Sequence, residues 1–165
     1  MRIRSTLVVA SLALVAAVPA TAAQAKNVAV CKLIRTADVT AIPGTSSSCK
    51  EAARLQGPGS ETYSGTWVGS TAKAPAVTIT IAVYSDPSVL AIAKKNLKQG
   101  LPTLPAVKLA GVGTSAFMSD AATSTGIHVA RGKDIAYITV TTVGSKSWSK
   151  NQVITLAKAV AAKLA

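Results

Sequence analysis

The nine residues AVTITIAVY, from Ala76 to Tyr84, alternate without a break. Val77, Ile79, Ile81 and Val83 point one way, and Thr78, Thr80, Ala82 and Tyr84 point the other. A period of two is the signature of a strand with one face in a core. Such a strand requires partners at its edges and a layer over its Val/Ile face. Residues 62–68 supply one partner, with Tyr63, Gly65 and Trp67 on a shared face. Lys73-Ala74-Pro75 lies between the two strands, which predicts a hairpin. Residues 126–131 and 134–143 read as a second hairpin closed by Gly132-Lys133. Gly111-Val112-Gly113 turns into a further short strand over residues 115–118.

Helical signals lie between these strands. Asp86-Pro87 is a cap followed by a first-turn proline, and Val89, Leu90, Ala93 and Leu97 form an apolar stripe ending at Gly100. Ser149-x-x-Gln152 is a capping box, with Trp148 placed to staple onto Val153. Val153, Leu156, Ala157, Val160, Ala161 and Leu164 then recur at helical spacing. Thr36 as cap and Asp38 in the first turn predict a short helix over residues 37–42, stopped by Pro43-Gly44. Ser48-x-x-Glu51 predicts another running to Gln56. The order is α, β-β, α, β-β-β, α. The expected fold is α+β: a mainly antiparallel sheet of about five strands with two or three helices packed on one face.

The N-terminus is of another kind. Arg2 and Arg4 precede an apolar run from Leu7 to Val18, Pro19 interrupts it, and Ala23-Gln24-Ala25 is an A-x-A cleavage signal. The run is short for a bilayer span. Residues 1–25 are therefore expected to be a secretory signal peptide, and residues 26–165 a single exported domain with no transmembrane segment after cleavage. No cysteine directly follows the cleavage site, so no lipid anchor is expected. Cys31 and Cys49 are the only cysteines, and in an exported chain they are expected to form one disulfide. A metal pair lacks further ligands, because His128 is the sole histidine, and the spacing is not that of a C-x-x-C redox pair.

The chain carries 18 basic and 6 acidic residues. Removal of residues 1–25 takes two arginines with it and leaves a net charge of +10. That balance suits an anionic wall polymer or other polyanion. The charges are scattered, however, and cluster only at Lys94, Lys95 and Lys98, which equally suits a solvated surface. The few aromatic residues lie among Thr, Gly and aliphatic residues, so a nucleic-acid platform is disfavoured.

Catalytic signals are sparse. Gly111 to Ala116 matches G-x-G-x-x-A, but a proline-rich connection precedes it and a strand-like segment follows, the reverse of a dinucleotide-binding context. No G-x-S-x-G element is present. Any histidine-dependent chemistry rests on His128, with a serine or aspartate brought near by folding. No cofactor or metal is expected. Thr78, Thr80 and Tyr84 share one strand face, and Tyr137, Thr139 and Thr141 share another. With His128 they are candidates to line a ligand-binding side of the sheet. The ordinary wet side of an antiparallel sheet has the same pattern.

Several stretches together carry a resemblance. They are Cys31-x-Leu-Ile-x-Thr-Ala-Asp-Val leading to Pro43-Gly44, the second cysteine at Cys49, Gly111-Val112-Gly113-Thr114-Ser115-Ala116-Phe117, HVARGKDIAYITV from His128, and the terminal Ala-rich helix. The chain resembles small exported or lipid-anchored envelope proteins of actinobacteria that carry a domain of unknown function. Those are similar to extracellular sensor domains of serine/threonine kinases. The resemblance covers most of residues 31–164. It implies an α/β sandwich with an early disulfide, Cys31 with Cys49, and supplies no catalytic residues. The leading expectation is a secreted, non-enzymatic binding or interaction module of the cell envelope. Its partner would be a small ligand or an envelope component. The alternatives are a secreted hydrolase-like enzyme using His128 and a cationic polyanion-binding protein.

Overall fold

The structure is a computed structural model that describes residues 28–97 and 106–164. The expected signal peptide, Lys98 and the Gly100 helix stop lie outside the described residues. In chain order the elements are α1 (Val30–Leu33), α2 (Thr36–Thr40), β1 (Cys49–Glu51), β2 (Leu55–Gly57), β3 (Ser60–Val68) and β4 (Ala76–Tyr84). Then come α3 (Pro87–Asn96), β5 (Val107–Leu109), β6 (Ser115–Asp120), β7 (Ser124–Arg131), β8 (Asp134–Thr141) and α4 (Lys150–Ala161). One sheet of eight strands runs β1-β3-β4-β8-β7-β6-β5, with β2 also on the outer edge of β3. Every pairing is antiparallel.

The fold class is α+β, as the alternation requires, but among the described residues eight strands replace the expected five and four helices the expected two or three. The added strands β1, β2 and β5 have three residues each and lie at the sheet edges, where they are mostly exposed. Segments that short show no alternation in sequence. Two of them occupy the stretch from Glu51 to Gln56, where a helix was expected. Hydrogen-bonding to the long β3 satisfies that backbone, with Lys50 opposite Thr66 and Leu55 opposite Thr62. In α2, Thr36 is the first helical residue and not the cap. Asp38 instead accepts from Arg35 Nε at 3.0 Å and Nη2 at 2.8 Å.

The Val/Ile face of the sheet is the main core. Trp67, Val77, Ile79, Ile81, Ile127, Val129, Ala136, Ile138 and Val140 are all fully buried there. They meet Val30, Ile34, Val39 and Ile42 from the N-terminal layer and Val153, Leu156, Ala157 and Val160 from α4. The capping box starts α4 as expected: Ser149 Oγ accepts from the Gln152 N–H, and Gln152 Oε1 accepts from the Ser149 N–H at 2.7 Å. The Cys31–Cys49 disulfide joins α1 to β1, with Cα atoms 5.7 Å apart. At the other end of α4, Arg131 Nη1 donates to the Ala161 carbonyl at 2.9 Å. A cation there complements the negative end of the helix.

Helix α3 departs from the expected one-sided arrangement. Leu90, Ala93 and Leu97 pack on Phe117, Ala130 and Ile135, on the opposite side of the sheet from α1, α2 and α4. The reason lies in the strand residues beneath it. Ala82, Ala130 and Ile135 stand in one cross-strand row and give this end of the face an apolar surface for a helix to cover. The same face carries Thr78 and Thr139 nearer its other end, and no described helix covers them there. Gly111 and Gly113 both have positive φ and lead into β6, so the glycine motif makes a turn into a strand. A Cβ at Gly113 would stand 2.6 Å from the Ala130 carbonyl oxygen, which excludes any other residue.

Candidate functional site

Helix α3 is fixed over the second face at both ends. At its start the Asp86 carboxylate accepts from the Ser88 N–H at 2.7 Å and the Ser88 hydroxyl at 2.6 Å. Those bonds to Ser88 hold the Asp86 carboxyl below its usual range. The Gly59 carbonyl accepts from the Ser85 and Asp86 N–H groups and ties this cap to the β2–β3 turn. Farther along, Lys94 Nζ donates to the Gly132 carbonyl at 2.9 Å. Part of the lysine cluster therefore secures the helix to the β7–β8 turn.

Between the anchored helix and the sheet is an open cleft of about 330 Å³. Its helical wall is Val89, Ile92, Ala93, Asn96 and Leu97, and its sheet wall is Tyr84, His128 and Tyr137, with Ser60 at the side. The register explains the sheet wall. His128 stands directly opposite Tyr137, so both side chains leave the same face in adjacent strands. Their rings meet edge to face with centroids 5.0 Å apart. Burial pushes the Tyr137 phenol well above its ordinary value, and its hydrogen bond with the Tyr84 side chain adds to that shift. Burial also lowers the pKa of the His128 imidazole, which keeps it neutral at neutral pH. A neutral imidazole has one donor and one acceptor nitrogen, and a phenol can do either. Among the described residues, no Asp, Glu, Lys or Arg lines the cleft.

The seven candidate ligand residues separate into two groups. Tyr84, His128 and Tyr137 come together in the cleft. Thr78, Thr80, Thr139 and Thr141 lie on the uncovered part of the same face. There Thr66 and Thr78 hydroxyls are 3.2 Å apart, and Ser64 and Thr80 hydroxyls 2.8 Å apart, each pair bridging β3 to β4. Cys31 and Cys49 are bridged in the N-terminal layer, on the other side of the sheet. Val89, Ala93 and Leu97 have the spacing of a helix's core stripe, so sequence gives them no separate mark as cleft residues. Ser60, Ile92 and Asn96 carried no signal. Chemically the cleft offers apolar walls with a few neutral hydrogen-bonding points. Ser60, whose hydroxyl is the only aliphatic one among the described lining residues, lies on β3, and His128 lies on β7, three strand spacings away, or about 14 Å across the sheet. A nucleophile and its base must lie within hydrogen-bond reach.

Among the described residues, no three His, Cys, Asp or Glu side chains gather to hold a metal ion. No described helix is long and apolar enough to cross a membrane. The fold and site define a one-disulfide α+β domain with a single antiparallel sheet and a small neutral cleft under one helix. Comparison with protein-family models, curated proteins and solved structures finds no match.

Proposed function

We propose that this chain is a secreted, non-enzymatic binding module of the cell envelope, with the cleft under α3 as its ligand site. The observation that carries this reading is the cleft's lining: apolar side chains with five neutral polar ones, Ser60, Tyr84, Asn96, His128 and Tyr137, and with the Ser60 hydroxyl and the His128 imidazole on strands too far apart to act as a pair. Specific small-molecule sites have this make-up. The signal-peptide pattern, the disulfide and the resemblance to actinobacterial envelope proteins support an extracellular setting.

The test is co-sedimentation of the purified exported protein with isolated cell envelopes at low and high salt, using wild type and His128→Ala. Retention at high salt that weakens in the variant is expected. Retention that vanishes in salt for both proteins would favour polyanion binding through the net charge. No retention at either salt would overturn the envelope assignment. A hydrolytic activity found in wild type and lost in His128→Ala would replace the binding module with the enzyme reading.

A further inference from the structure

The geometry points to an uncharged, mainly apolar ligand bearing one hydroxyl, carbonyl or aromatic amine group as the occupant of the cleft under α3. This deepens the binding-module reading above and rests on it. A charged ligand group placed between α3 and the sheet loses hydration and finds no counter-ion among the described lining residues, which is costly even in a partly open site. The lysines of α3 do not supply one: Lys94 is engaged with the Gly132 carbonyl, and neither it nor Lys95 lines the cleft. An apolar body gains on both walls. Ile92, at the mouth, is 61% exposed, and a ligand in the cleft would cover it. His128 and the Tyr84–Tyr137 phenol pair provide orientation for a single neutral polar group. The volume, about 330 Å³, lies at the small end of ligand sites and suits one fused ring system or a short chain.

A matched pair of fluorescent probes tests the charge preference: neutral N-phenylnaphthylamine, and anilinonaphthalene sulfonate, which adds an anion to the same aromatic system. The full exported protein is titrated with each at low and high salt. Three variants accompany wild type. Ala93→Trp fills the cleft, Ile92→Glu places a carboxylate at its exposed mouth without disturbing buried packing, and Tyr137→Phe removes one polar point. The neutral probe should bind one to one, at least tenfold tighter than the sulfonate, and without loss in salt. Ile92→Glu and Ala93→Trp should each weaken it at least tenfold, and Tyr137→Phe a few-fold. Sulfonate binding should be salt-sensitive and unchanged in Ala93→Trp, because it reflects surface lysines. Equal affinity for the two probes, or neutral-probe binding unaffected by Ile92→Glu, overturns the ligand class. Envelope co-sedimentation is scored separately. Retention at high salt that excess neutral probe fails to displace would remove this inference while leaving the binding-module reading in place.

Discussion

Replacing Cys31 and Cys49 together by alanine asks how much of the fold depends on the covalent tie between its N-terminal layer and its sheet. The bridge spans 18 positions. In the chain-entropy account, closing a loop of that length restricts the unfolded chain by about 3 kcal/mol at 25 °C. The native state should tolerate the loss. Val30, Ile34, Val39 and Ile42 remain buried against the sheet, and the Cys31 N–H donates to Glu51 Oε1 at 3.0 Å independently of the sulfur. The double variant should therefore fold and be less stable by about 3 kcal/mol, which for a domain of this size lowers Tm by on the order of 10 °C. Urea unfolding followed by Trp fluorescence is the assay. It is run on the oxidised wild type, the double variant and the wild type with both thiols verified as free. Because the effect acts on the unfolded chain, the m value should rise in both uncrosslinked forms. Midpoints that coincide with the oxidised protein would refute the assignment of stability to this loop.

Gly65 lies under the bridge: an added Cβ would stand 3.1 Å from Cys49 Sγ and 3.3 Å from Cys31 Sγ. Gly65→Ala should cost about 1–3 kcal/mol by overpacking, read in the same urea titration, and should cost less when the cysteines are also removed. Thr125 links the β6–β7 hairpin to the start of α4. It accepts from Trp148 Nε1 at 3.0 Å and donates to Asp120 Oδ1 at 2.6 Å. Thr125→Val strands the buried indole N–H and should destabilise by about 1–3 kcal/mol, with a shift in Trp emission. Burial alone would raise the Asp120 carboxyl, but hydrogen bonds from Lys146 and Thr125 outweigh it and hold it low. Stability from this carboxylate is thus present above its unfolded value of 3.8 and lost as pH falls through the lower folded value. Asp120→Asn should flatten that acid limb. His128 is depressed by burial from 6.5, so the unfolded chain takes up its proton first and stability falls as pH drops through 6.5. His128→Gln should remove that slope in pH-dependent melting between about pH 7 and 5.

The long strands and the two longer helices were legible because their physics is local. Alternation over nine residues marks β4, and the cap and stripe mark α4, whatever surrounds them. The three-residue strands were not legible, because pairing with β3 creates them and nothing in residues 49–51 or 55–57 prefers a strand alone. The side of the sheet taken by α3 was also missed, although a trace was present. The polar faces of β4, β7 and β8 are graded: Thr78 and Thr80 give way to Ala82, Gly126 and His128 to Ala130, and Thr139 to Ile135. Each strand's second face turns apolar at the end that α3 covers. The cleft lies at the boundary of that gradient, so Tyr84, His128 and Tyr137 could be placed on one face from sequence while Ile92 and Asn96 could not.

The two faces of the sheet also differ in how firmly their helices are held. Helix α4 buries Val153, Leu156, Ala157, Val160 and Ala161. At roughly 25 cal/mol per Å² of apolar surface, such a helix is inseparable from the core. Helix α3 has no fully buried residue between Pro87 and Asn96 and relies on Leu97 at its C-cap, its Asp86 cap and the Lys94 contact. Elements with little buried surface open at lower free energy than the rest of a domain. The helix that walls the cleft is therefore held by less buried surface than α4. A ligand there would bury Val89 and Ile92 and at the same time tie the helix to the sheet, so occupancy would be felt along α3 as well as within the cleft.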